Sequence, residues 1–344
     1  MIDRVLIVGL GSIGKRHLRL ARAILPSADI RVLRHQPCES IPENSNGCFV
    51  ELVQAIDFAP QIAVIASPAT FHLGVAQTLA QAGMHLLIEK PLATAVDGVT
   101  KLIEICRKNK VVLLTGYNLR YLPSLQRFRE LICERVVGRV ISVRCEIGQY
   151  LPTWRPEADY RGTVSAQQKL GGGALLELSH ELDYLRWIFG EVDWVKATLA
   201  RQSSLEVDVE DTAHLILGFT PEADGQQLIA TANLDFVRHD TTRTCTAIGH
   251  KGSLRWNGLT GVVELFEAGS KEWREVFVHQ HDRDESYFAE WQHFLSCITT
   301  NEAPLVSGED GLAVLQIIEA ARQASRSGSQ VHIAMNQTST KAST

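Results

Sequence analysis

Three glycines near the amino terminus have the spacing of a turn that can bind phosphate groups. They lie in Gly9-Leu10-Gly11-Ser12-Ile13-Gly14, between a short apolar run and a segment of helical periodicity. The first glycine permits a tight bend, the second lets the backbone approach a pyrophosphate, and the third lets helix and strand pack closely. The positive end of the helix dipole also attracts the phosphate groups. We expect a dinucleotide site, with a purely structural turn as the alternative. The expected contacts are Gly9, Gly11, Ser12, Ile13 and Gly14.

The residues after the next apolar run indicate which dinucleotide is bound. An acidic side chain there binds the ribose 2′-hydroxyl, whereas a cation accepts a 2′-phosphate. About 20 residues after Gly14 the chain reads Leu33-Arg34-His35-Gln36, without a carboxylate. We therefore predict NADP in preference to NAD, with Arg34 and His35 as contacts. A solvated arginine at a strand end is the alternative.

A lysine and a histidine lie in segments that could transfer a proton. Pro91 restrains the residue before it to an extended conformation, so Lys90 stays at a strand end beside Glu89. A partly desolvated lysine can act as an acid or a base beside the nicotinamide, so Glu89 and Lys90 are also expected cofactor contacts. An ordinary solvated lysine is the alternative.

A triple glycine, Gly171-Gly172-Gly173, precedes a second candidate segment of helical periodicity. The spacing of Glu177, His180 and Asp183 predicts that they share one helix face. Carboxylates beside an imidazole fix its tautomer and suit proton transfer. A helix with a salt-bridged polar face is the alternative.

Other candidate contacts come from two loops. Ser67, Pro68 and His72 follow a strand at the edge where open α/β sheets place ligands, and Ser67 could equally be a helix cap. Trp154, Arg155 and Tyr160 could stack on a sugar and hold an anionic group, and a packed loop is the alternative. A further cluster of His279, His281, Asp282 and Asp284 is interpreted as a solvated turn, so no metal is expected.

Short apolar runs alternate with helical patterns up to about residue 120. Runs that are apolar on both faces indicate a parallel sheet, so this part predicts a doubly wound Rossmann domain over 1–120. The predicted strands are 5–8, 30–33, 62–66, 86–88 and 111–114, and the predicted helices are 13–24, 71–82 and 93–109.

Strands with polar turns dominate the rest of the chain. They predict an α+β domain over 121–335 with a mainly antiparallel open sheet, followed by a disordered tail at 336–344. The predicted strands are 140–150, 192–200, 212–219, 228–236, 244–248 and 261–266, and the predicted helices are 124–134, 286–299 and 310–325.

The composition excludes several classes of protein. In 344 residues, 34 basic and 39 acidic side chains leave a net charge of −5, and this balance disfavours a nucleic-acid partner. No apolar run approaches the ~18 residues of a membrane span. Seven cysteines without a Cys-x-x-Cys pair suit reduced thiols, so we expect a cytoplasmic protein.

Taken in order, the glycine turn, Glu89-Lys90-Pro91, the segment 116–123, and the triple glycine with His180 and Asp183 resemble the glucose-fructose oxidoreductase / inositol dehydrogenase (Gfo/Idh/MocA) family. The resemblance spans nearly the whole chain. It implies a Rossmann domain with a second α/β domain, whose sheet supports homodimers or homotetramers. It also implies hydride transfer between a nicotinamide and a carbon of a sugar, nucleotide sugar or cyclitol.

The resemblance assigns the catalytic lysine to Lys90 and the catalytic histidine to His180. The family's aspartate four residues before that histidine is replaced by Leu176, and Glu177 aligns with it from the glycine side. Arg120 and Tyr121, in the matching segment 116–123, are expected to contact substrate.

We therefore expect an NAD(P)-dependent dehydrogenase or reductase acting on CH–OH groups. Segments 150–161 and 176–184 resemble family members associated with bacterial surface-polysaccharide and nonulosonate sugar pathways, which favours an activated or acidic sugar. One rival is a catalytically silent regulator that senses sugar or NAD(P) on the same fold. Another is an enzyme whose tightly held cofactor is recycled in place.

Overall fold

The computed structural model describes residues 2–280 and 282–333, so the expected tail at 336–344 lies outside the described residues. Its first sheet contains six parallel strands in the order β3-β2-β1-β4-β5-β6. Strands β1, β4 and β5 lie at its centre and are almost wholly buried, as runs apolar on both faces require. The expected Rossmann topology is confirmed. The strands are β1 (Arg4–Val8), β2 (Asp29–Leu33), β3 (Gly47–Phe49), β4 (Ile62–Ile65), β5 (His85–Glu89) and β6 (Leu113–Gly116).

Four helices connect these strands, and one begins later than predicted. The helix expected from residue 93 starts only at Val99, because Gly98 before it has a left-handed φ of 76°. A Cβ at Gly98 would lie 2.8 Å from Cδ2 of Leu73, so the turn needs a glycine for its space as well. The helices are α1 (Ser12–Ile24), α2 (Leu52–Asp57), α3 (His72–Gln81) and α4 (Val99–Asn109).

The loop after β2 corrects one sequence expectation. Cys38 and Cys48, ten residues apart, form a disulfide, whereas seven reduced thiols were expected. The pairing follows from the return of the chain to the sheet edge as β3, a strand of three residues that periodicity does not reveal. The other cysteines are free.

The second sheet has nine strands in the order β14-β13-β12-β11-β7-β10-β9-β8-β15. Most of its pairs are antiparallel, but β7 and β10 run parallel at its centre. A parallel pair cannot be joined by a hairpin, and residues 149–228 separate β7 from β10 in the sequence. The strands are β7 (Val140–Gly148), β8 (Val192–Ala200), β9 (Thr212–Phe219), β10 (Ile229–Asp235), β11 (Thr242–Gly249), β12 (Gly252–Asn257), β13 (Val262–Glu267), β14 (Arg274–Val278) and β15 (Val331–His332).

The sequence analysis missed β12, β14 and the two-residue strand β15 in this sheet. The expected turn between Gly249 and Gly252 is a tight hairpin loop, and β12 begins directly after it. The remaining helices are α5 (Pro123–Cys133), α6 (Ala174–Glu177), α7 (His180–Phe189), α8 (Glu285–Thr300) and α9 (Gly308–Ser327). Within residues 2–280 and 282–333, no helix combines the length and apolar character needed to cross a membrane.

Two compact units divide the chain. The first takes its residues from 1–122, 161–180 and 281–315, and the second from 123–160, 181–280 and 316–344. The expected division at residue 120 was continuous, whereas these units are discontinuous. Segments 161–180 and 281–315 join the Rossmann sheet in the first unit.

Helix α8 is part of the core of the first unit. Trp291 and Phe294 are fully buried in one cluster with apolar residues of β1 and α1. On the same helix Glu290 is also fully buried, and neither of its carboxyl oxygens has a hydrogen-bond partner among the described residues. Burial, and next the negative charge of Glu89, raise the pKa of Glu290 well above its ordinary value of 4.5.

Glu290→Gln should stabilise the protein at neutral pH. Because the pKa of Glu290 is higher in the folded state, stability falls as pH rises above 4.5, by about 1.4 kcal/mol for each unit by which the pKa is raised. Glutamine has the same shape and does not ionise, so the variant should match wild type near pH 4.5 and exceed it at pH 8. Urea unfolding at both pH values measures this.

The exposed Glu104 on α4 offers the matched control Glu104→Gln. It should leave the free energy of unfolding unchanged at both pH values. An equal effect of Glu290→Gln at pH 4.5 and pH 8 would contradict the assigned cause.

Candidate active site

The glycine turn between β1 and α1 has the geometry that nucleotide binding requires. Gly9 has a left-handed φ of 91°, and a Cβ there would lie 2.8 Å from the carbonyl oxygen of Ala66. A Cβ on Gly14 would collide with the carbonyl of Gly9. A Cβ on Gly11 would meet nothing within 4 Å, so open space lies beside the start of α1. That helix has no acidic residue in its first turn and no side-chain cap, so its amides are available to an anion.

The loops around this turn hold the other expected cofactor contacts. Arg34 follows β2 and is half-buried, and His35 beside it is exposed. Ser67 and Pro68 follow β4, next to Gly9, and the buried hydroxyl of Ser67 has no hydrogen-bond partner among the described residues. The expected contacts Ser12 and Ile13 open α1, exposed and half-buried respectively.

His72 has a different position from the one expected of a cofactor contact. Its ring is buried, and its nitrogens lie 2.7 Å from the carbonyl oxygen of Ser67 and 3.0 Å from that of Pro91. Burial lowers the pKa of His72, which favours the neutral ring. A neutral ring has one N–H and donates to only one of these two carbonyls, so His72 lies between the loop after β4 and the segment after β5 and is bonded to one of them.

Lys90 lies at the carboxyl end of β5 and is bound at both of its nitrogens. Its amide donates to Oε2 of Glu89 over 3.2 Å, and its ammonium donates to the backbone carbonyl of Glu177 over 2.7 Å. The side chain is half-buried. Lys90 is therefore fixed at the sheet edge near the glycine turn.

The expected common helix face of Glu177, His180 and Asp183 is wrong. Helix α6 ends at Glu177 and α7 begins at His180, with Leu178 and Ser179 in a turn between them. The last carbonyls of a helix lack intrahelical partners. The Glu177 carbonyl is one of them, and Lys90 uses it as an acceptor.

Ser165 and the triple glycine hold Glu177 in place. The hydroxyl of Ser165 donates to Oε2 of Glu177 over 3.0 Å, and the amide of Gly173 donates to the Ser165 carbonyl over 3.1 Å. A Cβ on Gly172 would collide with the carbonyls of Val164 and Ser165, so only glycine permits this approach. The sequence analysis missed Ser165, because its segment has no helix or strand periodicity.

Tyr117 leaves the strand next to that of Lys90 and packs against His180. It follows Gly116, which pairs with Glu89 across β5 and β6, so Tyr117 and Lys90 leave neighbouring strands at the same edge. The Tyr117 ring packs edge-on against His180 with 5.5 Å between centroids, and its hydroxyl donates to Ser179 over 3.2 Å. Lys90, Glu177 and His180 therefore all belong to the first unit, with Lys90 bonded to the Glu177 carbonyl and Tyr117 packed against His180.

The comparisons with known proteins agree with this geometry. Residues 4–117 match the model of an oxidoreductase family with an NAD-binding Rossmann fold, and residues 129–333 match the C-terminal alpha/beta domain of the same family, Gfo/Idh/MocA. The chain belongs to the Gfo/Idh/MocA family. The expected family, enzyme class and nicotinamide cofactor are confirmed at this level.

Two relatives of the chain are named inositol dehydrogenases. Myo-inositol 2-dehydrogenase of Thermotoga maritima is 28% identical over 93% of this chain and 95% of the relative. Inositol 2-dehydrogenase of Rhizobium meliloti is 26% identical over 97% and 100%.

Two solved structures share the fold at 22% identity. Levoglucosan dehydrogenase in complex with NADH and levoglucosan has a TM-score of 0.83, over 97% of this chain and 100% of that one. The WlbA dehydrogenase of Bordetella pertussis in complex with NADH and UDP-GlcNAcA has a TM-score of 0.78, over 98% and 100%.

In this Gfo/Idh/MocA protein the arginine expected to bind substrate is buried. Arg120 donates to the carbonyl of Leu305 over 2.9 Å and forms an ion pair with Asp310 at 3.2 Å. Tyr121 beside it is also buried, with its ring 5.6 Å from that of His293. These contacts favour a structural role for Arg120 and Tyr121 in the first unit.

The remaining expected residues belong to the second unit. Asp183 is buried on α7, and Arg155 is exposed. The Trp154 indole donates to the carbonyl of Gln149 over 3.1 Å, and the Tyr160 hydroxyl accepts from the amide of Glu206 over 3.1 Å. Trp154 and Tyr160 therefore have fixed orientations.

Two of the residues considered for a metal, Asp282 and Asp284, are engaged in other contacts. Oδ1 of Asp282 accepts from the amides of Asp284 and Glu285, and Asp284 forms an ion pair with Arg16. His281 lies outside the described residues. Within the described part of the chain, no group of three or more metal-binding side chains converges.

Gly11→Ala and Gly14→Ala should have different effects. A methyl on Gly11 enters the open space beside the helix start, so this variant should keep the wild-type melting temperature and bind NADH at least tenfold more weakly, about 1.4 kcal/mol. A methyl on Gly14 collides with the turn, so that variant should melt at a lower temperature. NADH fluorescence titration and thermal melting separate the two effects.

Gly74→Ala on α3 is the matched control, since a Cβ there also meets nothing within 4 Å. It should bind NADH normally and melt at or slightly above the wild-type temperature. Wild-type NADH affinity in Gly11→Ala would contradict this placement of the nucleotide.

Proposed function

We propose that this protein transfers hydride between a nicotinamide dinucleotide and a secondary alcohol or ketone carbon of a sugar, nucleotide sugar or cyclitol. The observation that carries the proposal is the ammonium of Lys90, fixed at the carboxyl edge of a Rossmann sheet near a glycine turn with open space at Gly11. Ligands of open α/β sheets bind at this edge. The residues present therefore fit a nicotinamide dinucleotide, which when bound supplies the hydride acceptor or donor.

The relatives support the substrate class. Two are named for the oxidation of inositol, and the solved neighbours contain levoglucosan or a UDP-linked acidic sugar. These ligands share a ring with several hydroxyl groups. Within this class we favour an activated or acidic sugar of surface-polysaccharide synthesis, with Trp154, Arg155 and Tyr160 as its contacts. We also propose that the protein assembles as a homodimer or homotetramer.

In the oxidative direction the neutral amine of Lys90 would receive the hydroxyl proton and become the ammonium, with His180 as the second proton-transfer group. The carbonyl of Glu177 holds the Lys90 ammonium in one direction, and Ser165 holds Glu177. Glu177 therefore positions Lys90 through its backbone carbonyl, while its carboxylate is held by Ser165. Asp183, one turn beyond His180, would orient the imidazole.

Lys90→Met should abolish most turnover without affecting nucleotide binding. A positioned proton-transfer group contributes about 10²- to 10⁴-fold to rate, whereas the glycine turn does not involve this side chain. NADH titration should give an affinity within about threefold of wild type. Turnover is measured with NAD and NADP on myo-inositol, levoglucosan, D-xylose and UDP-GlcNAcA.

Lys101→Met, on the exposed face of α4, is the control and should keep wild-type turnover. Near-normal turnover of Lys90→Met would remove the assignment of Lys90. A wild-type protein that binds NADH and panel sugars but turns none over would favour the sensing regulator.

We further propose that NADP is preferred over NAD. No carboxylate follows β2 in the segment Leu33-Arg34-His35-Gln36, and Arg34 lies where a 2′-phosphate would meet a cation. His35 beside it is exposed and offers a second donor.

Arg34→Ala should weaken NADP binding and leave NAD binding nearly unchanged. A hydrogen bond to a charged group contributes about 1.5–3 kcal/mol, which corresponds to at least a tenfold loss of NADP affinity. Fluorescence titration with NADPH and NADH measures both, and Arg107→Ala on the exposed face of α4 is the control. Tighter binding of NADH than NADPH by the wild type would refute the preference.

A further inference from the structure

A chain of three hydrogen bonds inside the first unit ends at the backbone of Lys90. The indole N–H of Trp291 donates to Nδ1 of His17 over 2.9 Å. Nε2 of His17 lies 2.7 Å from Oε1 of Glu89, and Oε2 of Glu89 accepts from the Lys90 amide over 3.2 Å. Trp291 and His17 are fully buried, and Glu89 is 6% exposed. No water competes for these groups in such a setting, so each bond is stronger than at the surface.

The direction of each bond in this chain is fixed. An indole N–H can only donate, so Nδ1 of His17 is an acceptor. The ring proton therefore lies on Nε2, and His17 donates it to Glu89. Trp291 thus selects the tautomer of His17 that can hold the Glu89 carboxylate.

Glu89 has little room to leave this position. A Cβ on Gly116, its partner across β5 and β6, would lie 3.3 Å from Oε2 of Glu89, so the carboxylate packs directly over a bare backbone. His17 is also held by packing: the Tyr287 ring lies edge-on against it, with 5.9 Å between the ring centroids. The carboxylate is therefore held between His17 and the amide of Lys90.

We propose that His17 is a positioning residue for Lys90 and acts through Glu89. The inference rests on the proposed function, in which Lys90 transfers the proton. His17 lies on α1, the helix whose first residues form the nucleotide turn. One helix therefore fixes both the nucleotide turn and the backbone from which the lysine projects. Without the His17 donor, Glu89 loses its partner, the Lys90 amide loses a fixed acceptor, and the ammonium leaves the Glu177 carbonyl.

A buried histidine can also serve the core alone, and a measurement at Lys90 separates the two roles. Limited acetylation with acetic anhydride, followed by peptide mass spectrometry, gives the reactivity of Lys90 relative to the exposed Lys101. His17→Phe removes both polar contacts and keeps an aromatic ring. His17→Gln keeps an N–H donor for Glu89. Each variant is first shown to be folded by thermal melting and to bind NADH.

We expect His17→Phe to raise the Lys90-to-Lys101 ratio at least threefold, with NADH affinity within about threefold of wild type. His17→Gln should restore a ratio near the wild-type value. Trp291→Phe removes the N–H that sets the tautomer and keeps a smaller aromatic ring in the core, so it should raise the ratio in the same direction, and it provides the test if His17→Phe does not fold.

His293→Phe is the matched control on α8, since His293 accepts from the Leu305 amide over 2.8 Å and is outside the chain of bonds to Lys90. It should lower the melting temperature and leave the ratio unchanged. An unchanged ratio in folded His17→Phe or Trp291→Phe, or an equal rise in His293→Phe, overturns the proposal. Failure of the proposed function appears elsewhere, as normal turnover of Lys90→Met, and would not alter the labelling result.

Discussion

The hydrogen bond between the Lys90 ammonium and the Glu177 carbonyl depends on an interruption in a helix. A continuous helix through Glu177 and His180 would commit that carbonyl to an amide four residues later, and Lys90 would find no backbone acceptor there. The turn at Leu178 and Ser179 releases the carbonyl. Since the acceptor is backbone, this bond does not depend on which side chain occupies position 177. This chain has Leu176 where the family has an aspartate, and Glu177 follows it. Lys90 can still be held in place, because the bond it makes is to the backbone.

The parallel sheet explains why these groups meet at one edge. β1, β4, β5 and β6 all end there, and they are followed respectively by Gly9, Ser67, Lys90 and Tyr117. In a parallel sheet the loops that follow the strands all lie at the same edge. Functional groups more than a hundred residues apart in the sequence therefore meet there without needing a direct contact to hold them together. Contacts between the loops, such as that of His72 with the carbonyls of Ser67 and Pro91, then fix the details.

The sequence predicts the features of this structure that depend on local patterns. The glycine turn, the central strands and Lys90 before Pro91 are recognisable because each depends on residues within a few positions of one another. The break after Glu177 is not recognisable from the periodicity, because Leu178 is a strong helix former and Ser179, although a favoured N-cap residue, also occurs within helices. The parallel pairing of β7 with β10 and the Cys38–Cys48 disulfide likewise depend on distant parts of the chain.

Two buried glutamates in the first unit show how the same side chain can have two roles. Glu89 has donors on both oxygens, from His17 and from the Lys90 amide, so its charge is compensated in place. Glu290 has no such donors among the described residues, and burial with the charge of Glu89 raises its pKa. A second buried carboxylate beside Glu89 would repel the first and weaken its hold on His17. The raised pKa of Glu290 opposes its ionisation and so limits this repulsion at the carboxyl group to which both His17 and the Lys90 backbone bind.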